Sequence, residues 1–279
     1  MYDLRMIDFE RTMMKERMLL VLMVGQSNMA GRGIATPEDL TAIPGVLAIR
    51  PDGSWVPAIE PVTRDRPFIG TFDADGKKIV SPDPWDNILP PDGGKVVGVG
   101  CGRTFGKLLR EVFPDRTVGL IPAAVGGTPA SAWKPGGEDE HNPGHFPYDE
   151  SIRMAKLAQK SGDIVAVLWH QGEADAHKNN PNDLADLREI VTNFRRDLDL
   201  GGDVPFLAGE LADFYKPEVQ ERVYIVDDAL RELEREFPFF RVVPLKGLPH
   251  VGDNLHFSAE AQHEFGRRCF AEYRRFKGF

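Results

Sequence analysis

Residues 18–24, MLLVLMV, form an unbroken apolar run that ends in the polar, glycine-rich stretch GQSNMAGRG (25–33). A continuous run of this length, closed by glycine, predicts a strand covered on both faces. Comparable runs recur at TVGLIPAAV (117–125), DIVAVLWHQ (163–171), VPFLAGEL (204–211) and FRVVPL (240–245). Between them lie stretches with helical spacing. RTFGKLLREVF (103–113) is stopped by Pro114, and YDESIRMAKLAQK (148–160) carries Asp149 and Glu150 at its positive N-terminal end. DLADLREIVTNFRRDL (183–198), residues 217–237, and SAEAQHEFGRRCFAEYRRF (258–276), with Ser258 as its expected N-cap, complete the set. Strands alternating with such helices predict βαβ units. The expected fold is therefore a three-layer α/β/α domain over 1–279, with a central parallel sheet of about five strands.

Two regions break the pattern. Residues 1–17 are polar with scattered methionines and form an N-terminal extension. Residues 50–95 read as a Pro/Gly-rich insertion: eight prolines fall between Pro51 and Pro91, with turn signals at Asp52-Gly53, Asp75-Gly76 and Asp92-Gly93. That density forbids long helices, and FDADGKKIV (72–80) predicts a short hairpin.

Composition narrows the function. A formal charge of −9 argues against a nucleic-acid or anionic-membrane surface. No apolar run approaches the ~20 residues of a membrane span. RTMMKERMLLVLMV imitates a secretory signal, yet no cleavage site follows it and its removal would take GQSN with it. A cytoplasmic protein is expected. Cys101 and Cys269, in a glycine-rich loop and a late helix, suggest no disulfide.

In parallel α/β sheets ligands sit beyond the carboxyl ends of the strands. Five loops occupy that position: GQSN (25–28), GGTPASAW (126–133), HQGEAD (170–175), ELADF (210–214) and GDNLHFS (252–258). Ser27 offers a hydroxyl, which needs a base to become a nucleophile. Asp253 and His256 are three apart in one turn, so the carboxylate can hold Nδ1 while Nε2 faces a serine. A developing oxyanion needs donors, and the N–H of Ser27, that of Gly126 or Gly127, and the amide of Gln171 are candidates. Gln26 and Asn28 are polar neighbours that prepare the pocket. Glu173 and Asp175 orient their loop or contact sugar hydroxyls. Trp133 either stacks on a sugar face or belongs to the core.

Other chemistries find less support. There is no G-x-S-x-G elbow, and GVGCGRTFG (98–106) lacks the third glycine of a dinucleotide fingerprint. His141 and His145 are four apart, but Pro143 and Gly144 preclude the helix that would align them on zinc. FDADG lacks the length and final Glu of a calcium loop. No metal or cofactor is expected.

Taken together, these blocks resemble an SGNH (GDSL-type) hydrolase, and within it the sialate O-acetylesterase-like carbohydrate esterases, including family six acetylxylan esterases. GQSNMAG resembles the nucleophile block, GGTPASAW the glycine block, WHQGEAD the W-x-Q-G-E-x-D block, and DNLHFS the terminal D-x-x-H block. They run in the family's order from residue 19 to about 266. The resemblance implies a flavodoxin-like fold, Ser27 as nucleophile, Asp253 and His256 as acid and base, and Gln171 with Gly127 or its neighbour as oxyanion donors. It also implies removal of O-acetyl groups from a carbohydrate (xylan fragments, sialic acid or a related sugar) through an acetyl-enzyme. An SGNH hydrolase of lipids or thioesters and a non-catalytic carbohydrate-binding protein are the alternatives. Cys101 stands where relatives often carry proline.

Overall fold

In the computed structural model, which describes residues 17–83, 85–179 and 183–279, the first apolar run forms strand β1 (Met18–Gly25), buried along its whole length. Of the N-terminal extension, only Arg17 lies within the described residues. Side chains of β1 alternate between two cores, as the two-residue period of a strand requires. Leu19, Val21 and Met23 enter one, and Met18, Leu20, Leu22 and Val24 the other. Each fully buried aliphatic side chain of this kind contributes about 1.5–3 kcal/mol.

Strands β7 (Val118–Pro122) and β8 (Gly162–His170) flank β1 in parallel. Beyond β8 follow β9 (Phe206–Gly209) and β10 (Phe240–Val243), also parallel. Helix α2 (Gly102–Val112) contributes Phe105 and Leu109 to the first core. Helix α7 (Ala259–Lys277) contributes Phe265, Phe270 and Tyr273 to it, with the Phe105 and Phe270 rings edge to face at 5.7 Å. On the opposite face α3 (Pro147–Ala158) brings Met154 and Ala155, and α5 (Asp183–Asp197) brings Ile190 and Phe194. Helix α6 (Pro217–Glu236) contributes to both cores, Val226 to one and Leu230 to the other. The layers are those expected.

The sheet has seven strands instead of about five, because β3 (Val46–Ile49) and β4 (Trp55–Pro57) extend it past β7 in the order β10-β9-β8-β1-β7-β3-β4. Strand β3 is parallel to β7 and β4 antiparallel to β3, so the sheet is mixed at that edge. Four and three residues are too short to show a period, and the surrounding prolines and glycines conceal them. The 50–95 segment thus begins inside the main sheet. Its strand β5 (Gly70–Phe72) joins β6 (Lys95–Val99), which also pairs with β2 (Gly33–Ile34), in a small antiparallel sheet. At 72–80 the chain does turn back, but its returning arm makes only one bridge, Phe72 to Lys78. Cys101 and Cys269 are free thiols, and burial pushes both above the ordinary value. No helix among the described residues is long and apolar enough to cross a membrane.

Candidate active site

The site begins where β1 runs out. Gly25 has φ +130, and a Cβ there would lie 2.1 Å from the His170 carbonyl oxygen, so only glycine lets the two strand ends run this close. The chain then makes one helical turn, α1 (Ser27–Ala30), with Ser27 at its first position. Ser27 and His256 line a cavity of about 570 Å³ together with Gly126, Gly127, Pro67 and Phe68.

Asp253, His256 and Ser27 stand in series. His256 Nε2 lies 3.1 Å from Ser27 Oγ, and His256 Nδ1 lies 2.7 Å from Asp253 Oδ2. The other carboxylate oxygen accepts the backbone N–H groups of Leu255 and His256, each at 2.9 Å. Partial burial pushes the Asp253 carboxyl up. The hydrogen bonds from His256 (backbone and ring) and from the Leu255 N–H outweigh it and hold the group below the ordinary carboxylate value.

Asn28 fixes the spacing between the two loops that carry these groups. Its Nδ2 donates to Glu173 Oε1 at 2.7 Å and to the Leu255 carbonyl at 3.1 Å, while its Oδ1 accepts the Phe257 N–H at 3.0 Å. Gln262, on α7, donates to the Asn28 carbonyl at 2.8 Å. Glu173 opens the short helix α4 (Glu173–Lys178) and faces His170 Nδ1 at 3.4 Å. Burial pushes its carboxyl up, but His170 and Asn28 prevail and leave it below the ordinary value. Gln26 Oε1 accepts the N–H groups of Gly172 and Ala174, tying the first loop to the third. Asn28 and Gln26 therefore shape the loops, and of the two only Gln26 also faces the cavity.

One expectation changes, and one of the two readings of Trp133 holds. Gln171 does not line the cavity, because its amide donates to the Thr128 carbonyl at 3.2 Å and to Asp175 Oδ2. Both amide hydrogens are engaged, so the residue organises the glycine loop from behind. Asp175 does the same by accepting the Ala130 N–H at 3.0 and 3.1 Å. Trp133 is fully buried, donates to Thr128 Oγ1 at 2.9 Å and meets Trp169 edge to face at 5.6 Å. It belongs to the core and supports that loop, and no face of it lines the cavity.

The two glycines of the step differ in their partners. Gly126 donates its N–H to Asp65 Oδ2 at 2.7 Å, and its carbonyl accepts from Arg66. Among the described residues, the N–H groups of Ser27 and Gly127 have no hydrogen-bond partner. Arg32, Asp65, Arg66 and Gln262 were not singled out by sequence. Arg32 follows the GQSNMAG block directly, which is a weak signal, and the Asp65-Arg66 pair carries none.

The mostly parallel α/β sheet, with these residues on its strand-end loops, agrees with an SGNH-type carbohydrate esterase. More particularly, the chain belongs to the carbohydrate esterase family of sialic acid-specific acetylesterases, whose profile matches residues 17–275. It is a carboxylic ester hydrolase. A probable carbohydrate esterase of Arabidopsis thaliana is 29% identical over 267 residues, 88% of this chain and 86% of the relative. The solved structure of that plant protein aligns with a TM-score of 0.71 at 24% identity, covering 93% of this chain and 98% of its own. NanS aligns at 0.69 and 15% identity, covering 94% and 98%. A carbohydrate acetylesterase from Xanthomonas citri aligns at 0.63 and 15% identity, covering 94% of this chain and 57% of the other. At these identities the structural likeness is one of fold.

Proposed function

We propose that this protein is a serine esterase that removes O-acetyl groups from a carbohydrate. The observation that carries the reading is the Asp253–His256–Ser27 series, at 2.7 and 3.1 Å, opening into the cavity. Ser27 Oγ attacks the acetyl carbonyl carbon while His256 Nε2 takes its proton, and Asp253 steadies the imidazolium. The tetrahedral oxyanion is met by the N–H groups of Ser27 and Gly127, the two left unpartnered. Collapse breaks the ester bond, and His256 gives its proton to the departing sugar hydroxyl. Water, deprotonated by the same imidazole, then releases acetate from Ser27.

The charges around the cavity favour an uncharged sugar. Its three cationic side chains each have a carboxylate partner: Arg32 with Asp65 at 2.7 Å, Arg66 with Asp139 at 2.9 Å, and Lys178 with Glu140. A sialic acid would have to compete for one of them. The test compares kcat/KM for acetylated xylo-oligosaccharides, simple acetylated sugars and O-acetylated sialic acids, with mass spectrometry of acid-quenched enzyme for an acetyl group on Ser27. No turnover on any acetylated sugar, or a trapped acetyl elsewhere, overturns the reading.

A further inference from the structure

The peptide between Gly126 and Gly127 has little reason of its own to hold one orientation. Gly127 sits at φ +79, and two glycines in succession leave the plane between them free to flip. The 50–95 segment supplies the restraint. Asp65 accepts the Gly126 N–H at 2.7 Å, and the next residue, Arg66, donates to the Gly126 carbonyl through Nε at 3.1 Å and Nη2 at 2.5 Å. In a trans peptide the carbonyl of one residue and the N–H of the next point in opposite directions. Holding the Gly126 oxygen therefore fixes the direction of the Gly127 N–H.

Both clamp residues are themselves anchored. Asp65 forms a two-pronged pair with Arg32, at 2.7 and 3.1 Å, with both side chains almost fully buried. Arg32 Nη1 also donates to the Gly31 carbonyl at 2.7 Å, at the end of the turn that carries Ser27. Arg66 pairs with the fully buried carboxylate of Asp139 at 2.9 Å. Buried ion pairs of this kind are weak contributors to net stability, because desolvation offsets the attraction. Their geometry, in contrast, is well suited to holding a peptide plane.

We infer that Asp65 and Arg66 are positioning residues that aim the Gly127 N–H at the developing oxyanion. The inference rests on the acyl-transfer reading above, and its test separates the two. Steady-state kinetics with p-nitrophenyl acetate, whose small acyl and aryl groups demand little of the sugar site, are measured for the wild type, Arg66→Ala and Arg66→Lys. The same proteins are titrated with phenylboronic acid, a probe that forms a tetrahedral adduct on an activated serine, and Ser27→Ala provides the reference.

For Arg66→Ala we expect kcat to fall about 10- to 100-fold, short of the ~10²–10³ that losing a whole donor costs. Phenylboronate affinity should fall by a similar factor, with KM nearly unchanged. Arg66→Lys keeps one donor and should recover part of both losses; if the alanine variant fails to fold, a parallel partial loss in the lysine variant carries the test. A raised KM with kcat preserved, or a loss of kcat without loss of boronate affinity, overturns the positioning role. Wild-type values of both in the variants do so equally. If Ser27→Ala remains active or still binds the boronate with wild-type affinity, it is the acyl-transfer reading that falls.

Discussion

The loops at the ends of β1 and before α7 carry the proposed reacting groups and can be read directly from sequence. The segment from β2 to β6 carries none, yet it reaches the same peptide from the other side. GQSN and DNLHFS are short and chemically dense, and Asn28 joins them directly through Leu255 and Phe257. Asp65 and Arg66 lie in proline-rich chain and act on backbone atoms about sixty residues away. The contrast teaches that a reaction centre has a part made of chemistry and a part made of aim. Only the first leaves a compact signature.

Ser27→Ala tests the legible side most severely. The fold should persist, because the hydroxyl contributes to the reaction and not to the core, while kcat drops by about four or more orders of magnitude. Circular dichroism and p-nitrophenyl acetate turnover check both halves of that statement. A variant with a tenth of wild-type activity removes Ser27 from the nucleophile role.

Asp253→Asn should lower kcat by up to ~10⁴, since an amide permits the wrong imidazole tautomer. It also changes the acid response. The carboxyl is held below its ordinary value of 3.8, so the hydrogen bonds it accepts persist above that value and disappear as pH falls through the lower folded one. The asparagine variant should lose this step, and melting temperatures between pH 2 and 5 record it.

Asn28→Ala probes the join between the two legible loops. Truncation leaves the Phe257 N–H and one Glu173 oxygen without their partner, a loss of about 1–3 kcal/mol in stability. A displacement of the His256 loop by about 1 Å relative to Ser27 would cost about 10² in kcat. Denaturant titration and kinetics should both respond, and a kinetic effect without a stability effect would refute the stapling role.

Gln171→Ala should be milder than removal of a true oxyanion donor, about tenfold or less in kcat against ~10²–10³. Its amide acts through Thr128 and Asp175. A loss of several hundredfold at unchanged KM would restore Gln171 as a direct donor.

The smallest effect concerns how the illegible segment is anchored. Asp39 accepts from His263 on α7 at 2.7 Å, and it also accepts from Thr36. The bond to Asp39 raises His263 above its ordinary 6.5. Burial pushes Asp39 up, but the His263 and Thr36 bonds leave it below its ordinary 3.8. The histidine's contribution is complete below 6.5 and is lost as pH rises through its higher folded value. The aspartate's is present above 3.8 and is lost as pH falls through its lower one. Their stabilisation therefore overlaps between those limits. His263→Asn should lower the melting temperature by about 2–4 °C near pH 5 and by less at pH 9.

These cases show why sequence carried so much of the fold and only part of the site. Runs such as 18–24 and 166–171 are buried on both faces, so their composition alone announces strands. Strand β3 has four residues and gains its place from pairing with β7, a non-local event with no local trace. At the site, residue types with intrinsic reactivity were identified. The direction of a side chain was not, which is why Gln171 was expected in the cavity and lies behind it, and why Trp133 kept two readings until its burial decided between them. Whether Gly126 or Gly127 is unpartnered depends on Asp65, a residue with no mark of its role.

The turn that carries Asp253 and His256 has a consequence for how this protein tolerates change over generations. The proposed acid and base are three residues apart, and the carboxylate also accepts the N–H groups of Leu255 and His256. They form a cassette whose internal geometry is inherited as one piece. Insertions and deletions elsewhere in the chain leave their mutual spacing intact and can only displace the pair as a body relative to Ser27. Lineages are therefore free to remodel the surrounding loops for new esters.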